Sequence, residues 1–282
     1  MKRQISVLSA VTAFALWSTL GVFFNTAALP TAVYVSLGSL AGLAVLYGYL
    51  TVSGQKFSRI RITLPLIVLF LIGGIKGIVW FEALKHFPVA NAMLIHNLAP
   101  VVAAALSPLV LKEKASASHI IAIITGFLGL SLLLRVNTNP SGLLTFGAVL
   151  ALIAALCSGI QDVVQRSLIR STPSSLQAFV FILGQGVGSL LLLSNVRLGF
   201  AWPDFLSILY FGIIGTAIPI MLLSAAFRGL KAFEVSILGY TEPALGALWA
   251  ALFLRQSISP AVALGGVLVF LSGVTAVKEE SG

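Results

Sequence analysis

The sequence predicts an all-α integral membrane protein: ten transmembrane helices arranged as two inverted five-helix repeats. Three observations predict it. The chain contains ten apolar runs of membrane-spanning length, its basic residues crowd into alternate gaps between those runs, and a segment of the first half recurs in the second.

The apolar runs follow from composition. Hydrophobic residues make up 59% of the 282-residue chain and charged residues only 9%. Soluble domains carry roughly 25% charged residues, so this chain cannot cover itself with a water-compatible surface. Its mean hydropathy of +1.07 says the same. A membrane helix needs about 20 mainly apolar residues. Division at charge clusters, Pro and Gly gives spans at 5–26, 31–52, 64–84, 88–111, 117–134, 143–165, 176–196, 205–227, 232–254 and 260–277. The gaps are too short for an extramembrane domain. The longest, 53–63, carries Lys56, Arg59 and Arg61. Lys2, Arg3 and the apolar stretch reaching Ala27 and Ala28 imitate a signal peptide. The stretch fits the repeat, however, and is expected to be a retained helix.

Charge gives the orientation. A net charge of +9 and a pI near 10.1 would suggest nucleic acid in a soluble protein. Here the basic residues lie in short gaps between apolar runs, where they act as topology determinants and headgroup contacts; no nucleic-acid partner is expected. With the N-terminus in the cytoplasm, the inner side holds Lys2, Arg3, Lys56, Arg59, Arg61, Lys112, Lys114, Arg166, Arg170, Arg228, Lys231 and Lys278. The outer side holds only Lys85, Arg135, Arg197 and Arg255, and Lys76 inside a span completes the 17. Both termini are therefore expected in the cytoplasm of a multi-pass cell-membrane protein.

The repeat rests on residues 83–114 and 226–257. A constant offset aligns Ala83 with Ala226, Lys85 with Arg228, Pro100 with Pro243, Ala104 with Ala247 and Lys112 with Arg255. Upstream, ALWS at 15–18 resembles ALCS at 155–158. The halves are 1–135 and 143–282. Five spans per half is an odd number, so the second half enters the membrane from the opposite side, as inverted repeats do.

Ionisable groups within a span are costly and usually face a cavity or a partner. At ~1.5 Å per residue, Lys76 lies ~18 Å and Glu242 ~15 Å from the inner side, and His96 and Asn97 ~13 Å from the outer side, all near the midplane of a ~30 Å core. Trp17 has a similar depth. Lys76 either pairs structurally with Glu242 or binds an anionic group such as a carboxylate. Glu242 precedes Pro243, which frees the Gly239 carbonyl; Pro100 and Pro243 are the expected helix breaks and gating points. His96 and Asn97 are either packing residues or hydrogen-bonding groups of a site. Trp80 shares a helix face with Lys76 and, with Trp17, either packs or walls a cavity. Tyr240 is a weaker candidate. Gln161, Asp162 and Gln165 read as an interfacial network with Asp162 paired to Arg166, or as a gate. GQGVG at 184–188 lies inside an apolar span without a preceding strand, so it reads as helix packing, as do Gly73 and Gly77. His86, His96 and His119 fall on different spans, and with a single cysteine, Cys157, neither a metal site nor an intrachain disulfide is expected. No catalytic triad, Walker motif or paired-carboxylate arrangement is present.

The paired five-helix repeat with a Pro in the fourth helix of each half resembles the drug/metabolite transporter superfamily, EamA type. So do the charged step Lys112, Glu113, Lys114 and the Gly-rich fifth helices (Gly126, Gly129; Gly265, Gly266, Gly273). The resemblance covers essentially the whole chain. It departs at Gln256, where the family often has a second Glu. The resemblance implies two halves around a central cavity and export of amino acids or other small polar metabolites; read with the residues at mid-depth, it leads to the expectation of alternating access without a cofactor, through a substrate site lined by Lys76, Trp80, Trp17, His96, Asn97, Tyr240 and Glu242. The alternatives are a multidrug or lipophilic-cation exporter of the same fold, with Glu242 as its cation site, and a membrane-embedded lipid enzyme. The partners expected are a small-molecule substrate, the bilayer and a second copy in a homodimer.

Overall fold

The computed structural model describes residues 2–20, 22–23, 29–54, 61–135, 145–193 and 201–278. Ala27, Ala28, Lys56, Arg59, Arg197 and the segment between the two halves lie outside the described residues.

The described residues are helical, in ten segments. These are α1 (Lys2–Ser18), α2 (Thr31–Val52), α3 (Leu64–His86), α4a and α4b (Val89–His96, Ala99–Val110), α5 (Ala117–Leu133), α6 (Phe146–Leu168), α7 (Ser174–Ser189, continued by a 3-10 turn over Leu190–Leu193), α8 (Trp202–Gly212, a π turn over Ile213–Ala217, then Ile218–Ala226), α9a and α9b (Ala232–Leu238, Thr241–Leu254) and α10 (Pro260–Val277). Seven are long and apolar enough to cross a membrane: α2, α3, α4, α6, α8, α9 and α10. The starts obey local chemistry. Pro65, Pro203 and Pro260 stand in first turns, where the missing N–H costs nothing. Thr145 and Ser259 accept backbone N–H groups from Ala148 and Val262.

Two helices are interrupted shortly before the prolines Pro100 and Pro243. α4 is interrupted at Asn97–Leu98 and α9 at Gly239–Tyr240. The backbone stays in the right-handed region at both interruptions. Pro100 and Pro243 lie just beyond, in the first turns of α4b and α9b. The carbonyl that Pro243 releases, on Gly239, accepts from the Glu242 N–H at 3.0 Å instead.

Helix packing pairs the halves. α2 packs on α7 and α5 on α10; α1 packs on α8 as α3 packs on α6; α3 packs on α7 as α2 packs on α8; α4 packs on α6 as α9 packs on α1. Glycines permit the closest approaches. A Cβ on Gly74 of α3 would stand 3.2 Å from the Gly184 carbonyl of α7, and one on Gly129 of α5 would stand 2.8 Å from the Gly265 carbonyl of α10. GQGVG is therefore a packing face, as its position in an apolar span indicates. The Arg3 guanidinium donates to the Val277 carbonyl at 3.1 Å, so α1 begins where α10 ends. That end of the bundle is called the termini face below.

Candidate functional site

α3, α4, α6 and α9 place their polar side chains in one layer of the bundle. Lys76, twelve residues into α3, turns away from lipid toward α6 and α7. Its Nζ donates to Gln161 Oε1 at 3.2 Å and lies 5.9 Å from the centre of the Phe181 ring. Of the two readings of Lys76, the structural pair with Glu242 is not found among the described ion pairs, and Gln161 is the hydrogen-bond partner. Glu242 is partly exposed in the first turn of α9b, where the N-terminal backbone dipoles favour a carboxylate.

One turn along α3, the Trp80 ring lies tilted against the His96 ring with centroids 4.5 Å apart, and His96 Nε2 is 2.8 Å from Ser158 Oγ of α6. Lys76, Trp80, His96 and Asn97 are all partly exposed despite their depth. Asn97 is occupied locally, its amide donating to the Met93 carbonyl at 2.8 Å. Trp17 is tied down by a different cause. Pro219 has no N–H to give the Gly215 carbonyl four residues back, and the Trp17 indole N–H donates to that carbonyl at 3.0 Å. Tyr240 does not line this layer. It is fully buried between α5 and α10, against Ala122, Leu130, Val269 and the face of Gly126.

Two serines of similar sequence context meet different partners at different heights: Ser158, in the ALCS segment, meets His96 of α4, and Ser18, in ALWS, accepts from the Trp249 indole of α9 at 2.8 Å. Trp249 was not singled out from the sequence. The signal was there: it is one of four tryptophans and sits on a broken helix.

From Lys76 a buried polar chain runs toward the termini face. Gln161 donates to Gln165 Oε1 at 3.4 Å, and Gln165 donates to Ser224 of α8 at 2.7 Å. The expected pair of Asp162 with Arg166 is corrected. Asp162 accepts from Ser236 of α9a, while Arg166 reaches Glu113 at 2.7 and 2.9 Å and the Phe227 carbonyl. Four residues of spacing put both groups on one face, but each meets a better partner on a neighbouring helix. Among the described residues no group of three His, Cys, Asp or Glu side chains could hold a metal ion.

α3, α4, α6 and α9 carry one ammonium, two carboxyl groups and a pair of aromatic rings on their packed faces. Comparison with known proteins agrees with a membrane carrier. A curated relative from Archaeoglobus fulgidus, described as an uncharacterized transporter, is 26% identical over 202 residues, 71% of each chain. The uncharacterized transporter YxxF of Bacillus subtilis is 23% identical over 280 residues, 95% of this chain and 88% of its own. Protein PecM of Dickeya dadantii is 29% identical over 216 residues, 72% and 70% of the two chains. A crystal structure at 24% identity superposes with a TM-score of 0.83 over 97% of both chains, which shows a shared fold. The EamA-like transporter family matches residues 4–135 and, separately, 145–277. With nearly the whole chain matched, this protein belongs to the EamA-like transporter family.

Proposed function

We propose that this protein is a secondary transporter that exports small polar metabolites, amino acids or related organic ions, by alternating access between two inverted halves. The observation that carries the substrate class is Lys76. A lysine ammonium within an apolar span, hydrogen-bonded to one neutral amide and with no carboxylate among its described ion pairs, is a ready anchor for a carboxylate. Asp162 and Glu242 supply the opposite charge for an amino group, and the Trp80 and His96 rings, tilted to each other, give an aromatic surface. A lipophilic cation would instead meet the Lys76 ammonium as a repulsive neighbour, which disfavours that reading. The inverted relation of the halves is supported by the matched helix pairings, the similarly placed interruptions of α4 and α9 and the family's separate match to each half.

Equilibrium binding to purified protein tests the substrate class. Labelled neutral amino acids, their carboxamides and a lipophilic phosphonium ion are compared on wild type and Lys76→Gln. Loss of a charge-assisted hydrogen bond costs about 1.5–3 kcal/mol, so the variant should bind the amino acid roughly 10- to 150-fold more weakly. Carboxamide binding should be unchanged. Equal binding of acid and carboxamide by wild type, or undiminished acid binding by Lys76→Gln, would remove Lys76 as anchor.

A further inference from the structure

Ion pairs are distributed unevenly along the bundle. Glu234, at the start of α9a and 2% exposed, receives Arg3 of α1 at 2.9 Å, His119 of α5 at 3.3 Å and the Lys231 backbone N–H at 2.7 Å. His119 Nδ1 accepts from the Ser116 N–H at 3.1 Å, so its Nε2 carries the proton directed at Glu234. Arg3 also reaches the Gly229 and Val277 carbonyls. Beside this knot, Glu113, between α4b and α5, takes both Nε and Nη2 of Arg166 on a single oxygen. All of these contacts lie at the termini face. Each of the three charged pairs joins a residue of the first half to one of the second.

At the opposite face the described ion pairs stay within one helix: Glu82 meets Lys85 at 2.5 Å and His86 at 3.6 Å, all on α3. The halves touch there through uncharged groups, Thr19 with Tyr210 at 2.6 Å and Tyr34 with Ser207 at 3.2 Å. The repeat does not reproduce the charges either, since the position matching Glu113 is Gln256 and that matching Glu234 is Asn91. Burial follows the same asymmetry. Between Lys76 and the termini face, Gln161, Asp162 and Gln165 are at most 7% exposed. Lys76, Trp80, His96 and Asn97 are partly exposed.

We infer that the Arg3–Glu234–His119 knot and the Arg166–Glu113 pair form a charged gate on the termini face, shut in this structure, with the Lys76 layer reached from the opposite face. The inference rests on the alternating-access reading above and adds which side is locked and by which residues. The chemistry suits a gate that must reopen. Buried ion pairs roughly break even against apolar packing, so they add little to global stability while fixing one arrangement over others. The Arg166 pair is also incomplete: Glu113 Oε2 is buried and has no hydrogen-bond partner. A contact so poorly satisfied is cheap to break when the halves part.

The test is chemical accessibility and needs no substrate. Cys157 is the single native cysteine, and Cys157→Ser removes it. Ala103→Cys then places a thiol on α4b among Val163, Phe233 and Leu238, fully buried under the gate. A membrane-impermeant maleimide added from the termini face of oriented vesicles should label it slowly. Glu113→Gln combined with Glu234→Gln should raise that rate roughly tenfold, the factor given by about 1.4 kcal/mol of lost bias. Glu82→Gln at the opposite face should leave it unchanged. The charge swap Glu113→Arg with Arg166→Glu should return the rate to its low value, which loosening of the fold would not do. Unchanged labelling in the double neutralisation, a rise in Glu82→Gln of the same size, or a swap that stays fast would each overturn the gate. None of these outcomes depends on what is transported, so a failed gate and a failed substrate class are told apart.

Discussion

Gly129, in the seam between α5 and α10, and Gly266, on α10 facing away from it, provide a pair of opposite expectations. Alanine in a helix interior is about 1 kcal/mol better than glycine. At Gly266 nothing lies within 4 Å of an added Cβ, so Gly266→Ala should collect that gain. At Gly129 the same methyl would meet the Gly265 carbonyl at 2.8 Å, Leu268 Cβ at 2.9 Å and the Val269 nitrogen at 3.0 Å. Two of those atoms are backbone and cannot rotate aside, so α5 and α10 must separate by several tenths of an ångström. Overpacking of this kind costs about 1–3 kcal/mol, which outweighs the propensity gain and leaves Gly129→Ala about 1 kcal/mol less stable than wild type. The two variants should therefore differ by about 2 kcal/mol. At this chain length that is roughly 4 °C in Tm. Thermal unfolding in one detergent, followed by tryptophan fluorescence, measures it. Equal stabilisation by both substitutions would mean that α5 and α10 do not meet across these glycines, and the pairing of the halves at this seam would fall.

Two further outcomes are expected. Trp17→Phe leaves the Gly215 carbonyl without its donor and should cost about 1–3 kcal/mol of stability, whereas Trp202→Phe, at a side chain 70% exposed, should leave Tm unmoved. A reporter fused after Gly282 should be active in the cytoplasm and silent outside, and activity confined to the exterior would reverse the orientation.

The helices and their seams were legible because they depend on local pattern. Apolar length marks the spans, small residues four apart mark close packing at Gly184 and Gly188, and a proline in a first turn marks where α4b and α9b begin. The site was legible only in depth. Counting residues along a helix places Lys76 and Glu242 in one layer but says nothing of their angle about the bundle axis. Lys76 faces Gln161 and Phe181 instead. Asp162 and Arg166 share a face, yet Ser236 and Glu113 lie on helices distant in sequence, and tertiary neighbours outcompete a four-residue pair. The knot at Glu234 escaped notice for the same reason. Its partners Arg3 and His119 are 231 and 115 residues away, and the one local sign was an acidic residue three positions after Lys231 at a helix start. Tyr240 looked like a site residue because it neighbours Glu242 in sequence. A helix turns such neighbours in different directions, and Gly126 opens the space that takes the ring.

Transport itself tests the central claim most directly. Proteoliposomes carrying wild type or Lys76→Gln are loaded with an unlabelled neutral amino acid, and uptake of the labelled compound by counterflow is followed. Wild type should accumulate label that an excess of amino acid abolishes and an excess of carboxamide does not, and Lys76→Gln should give a signal at least tenfold lower at limiting substrate. Counterflow by Lys76→Gln equal to wild type, or accumulation of a lipophilic cation in place of any amino acid, would contradict the account.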